Sequence, residues 1–292
     1  MNGVIVIKKD KGMTSFDVVA RMRKLAGTKK VGHTGTLDPD ATGVLPVCIG
    51  IATKAADIMT GNDKKRYTAL LRLGSSTDTG DASGNVISTG DASGITDEDI
   101  KKALLHFTGD IMQIPPMYSA IKVGGKKLYE LARKGIEVER KERGVTIHFI
   151  NMIKRDGSDV LIDVSCSKGT YIRTLCEDIG AFLSCPAHMA NLERTESGNF
   201  TIDEAVSLDE LTGPDDIKKH LKSTDALFDY PKYIVTKKQE WLLRNGVAPY
   251  CEGDMGKYKV FSENGDFLAI SEITEIEGKL CLKTIKGFYR NE

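Results

Sequence analysis

The chain has 292 residues, 40% apolar and 28% charged, a balance that fits a folded protein with a real core and excludes a fibrous or disordered one. Forty-one basic residues offset 41 acidic ones, so bulk positive charge is excluded as a grip on nucleic acid, while local patches are not. No run approaches 18 apolar residues, and the start MNGVIVIKKD lacks a leading positive region and a cleavage site, which argues against a membrane span and a secretory signal.

Residues 4–7 read as a short buried strand. A helix follows, with Thr14 as its cap, Asp17 three residues on, Gly27 at its end, and Phe16, Val19, Met22, Leu25 and Ala26 on its core face. Residues 29–50 hold four glycines and two prolines and read as a structured loop leading into core, not as regular strand. Residues 66–73 read as a strand, and 74–86 as a polar, mobile loop. Thr96 and Asp99 open a second helix that buries Ile100, Leu104 and Phe107. After the Pro115–Pro116 turn come a short strand and a helix over 126–134. Residues 145–150 and 160–166 read as paired strands, and 170–183 as an amphipathic helix burying Ile172, Leu175, Ile179 and Phe182. A strand and exit loop at 187–200 precede an acidic stretch of short helices. Pro231 then marks a boundary, followed by a helix over 237–244 and three short strands that read as a small β-barrel. Without strict βαβ spacing, the pattern predicts an α+β fold with a mixed, mainly antiparallel sheet, divided into domains at 1–230 and 231–292.

Charge is uneven. Residues 1–90 hold 13 basic against 8 acidic groups and 111–173 hold 12 against 7, while 174–230 hold 4 against 12. The six cysteines form no CxxC pair and read as reduced thiols of a cytoplasmic protein. Five scattered histidines without HExxH make no metal site, and the glycine-rich loop fits neither GxGxxG nor a P-loop.

Asp38 stands before Pro39 in GHTGTLDPDATG, extended at a turn and flanked by glycines, either as a reactive carboxylate or as an Asx turn that solvates the loop. His33 shares the loop, as an acid, a base, a stacking surface or a structural group. Tyr67 follows Lys64, Lys65 and Arg66, an aromatic beside cations that can stack on a base while the cations meet phosphates. Tyr171 and Arg173 open a helix, and an Arg173 fork beside Asp38 would hold that acid as a carboxylate. Lys9, Lys11, Lys29 and Lys30, with Arg194 after a later strand, make a candidate phosphate-binding rim. Lys122, Lys126, Lys127 and Arg133 make a second.

Five segments occur in order: VGHTGTLDPDATGVLPVCIG, KRYTALLRLG, QIPPMYSAIKVGGKKLYELARKG, SKGTYIRTLCEDIG and LERTESGNF. Over residues 3–229 the chain resembles the TruB family of bacterial tRNA pseudouridine-55 synthases. Its C-terminal part resembles, more weakly, the PUA-type pseudobarrel of that family. The resemblance implies isomerisation of a flipped T-loop uridine without metal or cofactor, by a cytoplasmic monomer that needs no protein partner. It also implies roles: catalytic carboxylate for Asp38, stacking for Tyr67, helix-start partners for Tyr171 and Arg173, T-loop contact for His33, and an apolar contact near the base for Leu192. Lys9, Lys29, Lys30, Lys64, Lys65 and Arg194 would then meet RNA. The family's opening Lys-Pro-x-Gly reads KDKG here, with Asp10 in place of proline. A non-catalytic RNA-binding or chaperone protein, and a synthase acting on another RNA, remain as alternatives; a hydrolase using Asp38 and His33 is more distant.

Overall fold

A computed structural model of the chain describes residues 1–55, 58 and 64–289. In chain order its strands begin with β1 (Gly3–Lys9), β2 (Val31–His33), β3 (Thr42–Ile49), β4 (Lys65–Leu73), β5 (Ser75–Thr77) and β6 (Val86–Thr89). Then come β7 (Gly109–Gln113), β8 (Lys122–Val123), β9 (Lys126–Lys127), β10 (Arg143–Asp156), β11 (Asp159–Cys166) and β12 (Ala187–Ser197). The last are β13 (Phe200–Thr201), β14 (Val206–Ser207), β15 (Lys232–Val235), β16 (Gly256–Ser262), β17 (Phe267–Ile276) and β18 (Lys279–Gly287). The α-helices are α1 (Ser15–Leu25), α2 (Asp97–His106), α3 (Leu128–Ala132), α4 (Ile172–Phe182), α5 (Pro214–His220) and α6 (Lys237–Arg244).

The central sheet runs β14-β1-β3-β12-β4-β11-β10-β7, with β2 on β3 and β13 on β12. Its β1–β14 and β3–β12 pairs are parallel and the other pairs antiparallel, so the expected mixed, mainly antiparallel sheet is present. β1 is apolar in both phases. Ile5 and Ile7 face a core shared with Val18, Val19 and Met22 of α1, Ile100 of α2 and Leu175 of α4. Val4 and Val6 face a second core on the other side. Both capping boxes form, Thr14 with Asp17 and Thr96 with Asp99, because each hydroxyl satisfies an orphan helix N–H and each acid reaches back to the cap.

Four expectations need correction. Residues 31–33 and 42–49 are strands, not irregular loop. Pro46 is tolerated because the second edge of β3 pairs with β12 at residues 42–43 and with β2 at 47–49, leaving 46 in the gap. The loop after β4 is anchored, since Ala82 and Met189 donate to the carbonyls of Met189 and Gly80. Phe16 points outward at 64% exposure and Phe182 is 46% exposed, stacked on His106.

The fourth concerns the C-terminal part, which is not a barrel. It is a four-stranded sheet in the order β15-β16-β17-β18, whose end strands do not pair with each other. Closure is unnecessary because both faces are covered. Leu268 and Ile273 pack with Leu243 of α6. Ile270 and Phe288 join Val4, Val6, Phe200 and Phe228 on the far side of the central sheet.

Candidate active site

The loop that follows β2 is fixed from three directions. Ser15, the first residue of α1, uses one hydroxyl twice: its Oγ accepts from Leu37 N at 2.8 Å and donates to the Leu37 carbonyl at 3.1 Å. Lys9 Nζ donates to the carbonyls of Asp10, Met13 and Pro39 at 2.9, 2.8 and 3.1 Å, and Gly12 N also donates to the Pro39 carbonyl. Arg194 donates from Nε to Val44, from Nη1 to Thr36 and from Nη2 to Gly35, at 2.7, 3.3 and 3.2 Å. A turn from Asp38 to Ala41, closed by the Ala41 N–H on the Asp38 carbonyl, puts Pro39 where its fixed φ is favoured. Gly43 adopts φ +104 and lies against the Arg194 backbone, where a Cβ would overlap the Arg194 carbonyl.

Asp38 is thereby held at a rim, its side chain 43% exposed, with Oδ2 3.0 Å from Nη2 of Arg173. Arg173 sits in the first turn of α4 and its side chain is 6% exposed. Its guanidinium is shared rather than forked onto one acid. Nη2 also donates to the Tyr118 carbonyl at 2.9 Å, while Nη1 donates to the Thr79 carbonyl at 3.3 Å and lies 3.6 Å from Oδ2 of Asp81. Asp81 is the residue that sequence reasoning missed. Its carboxylate caps its own loop by accepting from Ser83 N and from the Thr79 hydroxyl, leaving Oδ2 toward Arg173. A second missed residue is Gln113, 2% exposed at the end of β7. Its amide accepts from Tyr171 N at 3.1 Å and donates to the Tyr171 carbonyl at 3.3 Å, which fixes the residue capping α4.

Tyr67 lies in the middle of the central sheet, opposite Val164 of β11 and Arg194 of β12. It is 9% exposed and belongs to the same apolar cluster as Leu37, Ala41, Ile172 and Leu192. Arg194, opposite Tyr67, bonds the Thr36 and Gly35 carbonyls, and Arg173 of α4 meets Asp38, so β12 beside Tyr67, the Asp38 loop and the start of α4 adjoin. Tyr171 is half-buried at the same place. Burial lowers the His33 imidazole below its usual value, and the Arg194 charge adds to this, so the ring is held neutral.

The basic residues expected at an RNA rim divide in two. Lys29, Lys30 and Lys64 are exposed. Lys9, Lys65 and Arg194 are not rim cations: they are 0%, 6% and 1% exposed. Burial pushes Lys9 down to about 8 against the pull of neighbouring acids, and Lys65 Nζ donates to Ser197 Oγ at 2.7 Å. Lys9 and Arg194 brace the Asp38 loop, and Lys65 ties β4 to the end of β12. Among the described residues no cluster of His, Cys, Asp or Glu could hold a metal ion.

Residues 23–172 match the model of the TruB family pseudouridylate synthase N-terminal domain, and 173–229 match that of the tRNA pseudouridylate synthase B C-terminal domain. A tRNA pseudouridine synthase B of Clostridium perfringens (strain 13) is 50% identical over 289 residues, covering 96% of this chain and 98% of the relative. One from Clostridium kluyveri is 44% identical over 286 residues, with the same coverage of each. Among solved structures, a chain of a Cbf5-Nop10-Gar1 complex superposes with TM-score 0.75 at 26% identity, covering 98% of this chain and 85% of that one.

Proposed function

The chain belongs to the TruB family of tRNA pseudouridine synthases, and we propose that it acts on uridine 55 in the T loop through Asp38. It is an enzyme that isomerises uridine to pseudouridine at a specific site in tRNA. The observation that carries the assignment of Asp38 is its contact with Arg173 at 3.0 Å: a half-exposed carboxylate against a buried cation, at the meeting point of three loops.

The target base is stacked in a folded loop, so the nucleotide is flipped out before reaction. Tyr67 and Leu192 supply the apolar floor that receives the uracil, and Tyr171 borders it. In the reaction the N1–C1′ bond breaks, the uracil turns, C5 bonds to C1′, and the C5 proton is lost while N1 gains one. Asp38 serves this in one of two ways. It adds to C1′ as the glycosidic bond breaks, forming an ester that C5 later displaces, or it removes the C2′ proton to give a glycal and returns it. Both begin from a carboxylate, whose Oδ2 Arg173 meets at 3.0 Å while the other contacts of the guanidinium fix its orientation. Neutral His33 offers a flat ring to the T-loop bases, and Lys29, Lys30 and Lys64 meet phosphates.

We further propose a monomer that works without a protein partner, in the cytoplasm, where six free cysteines fit a reducing milieu. Mapping pseudouridine in tRNA from cells that lack the protein tests reaction and position together. Loss of the modification at position 55 alone is expected, and its retention there would overturn the assignment.

A further inference from the structure

Helix α1 buries Val18, Val19 and Met22, and its period places Phe16, Ala20, Arg23 and Lys24 along an outer stripe. Phe16 is 64% exposed. A single exposed apolar residue is ordinary, but three features set this one apart. The Arg23 guanidinium lies over the ring, its Cζ 5.6 Å from the centroid, so one face is covered by a cation and the residue remains largely open to solvent. The stripe carries the cations Arg23 and Lys24 and no carboxylate, and exposed Lys29 and Lys30 follow it in sequence; the one acid at its start, Asp17, stays ionised and bonds Thr14 in the helix cap. Finally, the stripe is fastened at one end to the catalytic loop and at the other to β2, the strand that leads into it. Ser15, next to Phe16, bonds Leu37, next to Asp38, and Arg23 Nη2 donates to the carbonyl of Val31, two residues before His33.

An aromatic ring followed by a row of cations matches a nucleic-acid strand, with a base or ribose on the ring and phosphates along the row. We infer that the outer stripe of α1 is an RNA-docking surface, on which Phe16 and Arg23 form a stacking step and Lys24 meets a phosphate of the tRNA arm beside the target loop. This rests on the functional reading above and adds a positioning surface to it. Because the stripe is fixed to the Asp38 loop, strand docking there sets the distance from the arm to the carboxylate.

Filter binding of a T-arm stem-loop RNA to the full chain, with tritium release from 5-labelled uridine in the same RNA, tests this. Phe16→Ala is expected to weaken Kd about ten-fold, the scale of one lost base–aromatic stack. Phe16→Trp is expected to restore it, since a larger ring still stacks. Lys24→Gln is expected to lower the slope of log Kd against log salt by about one. Wild-type Kd in Phe16→Ala, together with a wild-type salt slope in Lys24→Gln, would overturn the inference. A slower rate at saturating RNA with Kd unchanged would do so as well. Failure of the functional reading is distinct: the wild-type chain would itself release no tritium.

Discussion

Arg173 touches Asp38, Asp81 and two loop carbonyls with one guanidinium, and few other side chains could do so. A lysine carries the same charge but only a compact ammonium, without planar donors spread over both ends of a fork. Arg173→Lys is therefore expected to lower the single-turnover rate by roughly 100-fold, the scale of one lost preorganised donor, while tRNA affinity stays within about three-fold. A near-normal rate would remove the shared-guanidinium argument. At this scale the sequence was legible for the pairing of Asp38 with Arg173, which the fold brings to 3.0 Å. Lys9, Lys65 and Arg194 were misread as surface cations because local charge was weighed and strand phase was not. Lys9 continues the phase of Ile5 and Ile7, Lys65 that of Tyr67 and Ala69, and Arg194 that of Leu192, all of which are buried. A period of two would have placed all three inside. Asp81 and Gln113 had no such signal, since their partners are 92 and 58 residues away in sequence.

Among the elements, β3 and α4 position the chemistry. The positive φ of Gly43 lets β3 run against β12, and Arg194 then reaches the loop carbonyls. Gly43→Ala adds both backbone strain and a clash with rigid main chain, for an expected loss of about 2–4 kcal/mol in urea unfolding. Unchanged stability would show that the two strands can separate freely. On α4, burial raises Asp178 to about 6, above its ordinary 3.8. Between those values the folded chain holds a proton that the unfolded chain has released, so stability falls as pH rises through the window. Asp178→Asn is expected to stabilise the protein by about 1–2 kcal/mol at pH 7.5, after allowance for partial solvent access, and the gain should vanish near pH 4. A gain independent of pH would contradict that origin. The β3 strand was hidden in the sequence by Gly43 and Pro46, and Phe16 by a helical phase drawn one position too wide.

For the whole molecule, the far-side core matters most. Phe267, Ile270 and Phe288 of the C-terminal part pack with Phe228 and, through the same cluster, with Val4 and Val6 of β1. β1 ends at Lys9, which braces the Asp38 loop. Removal of residues 231–292 uncovers that cluster, and each large side chain brought back to water costs about 1.5–3 kcal/mol. The truncated chain is expected to unfold at least about 10 °C lower; an unchanged melting temperature would show that the first 230 residues are complete alone. The barrel expected from short strands failed for the same reason, since apolar strands can be covered by a neighbouring layer as well as by closing on themselves.

The central claim is that Asp38 performs chemistry and is not merely a turn residue. Single-turnover tritium release by Asp38→Asn, measured with filter binding of the same tRNA, tests it most directly. The expected result is no release above background, with Kd within about three-fold of wild type. Turnover at the wild-type rate, or turnover and binding lost together, would contradict it.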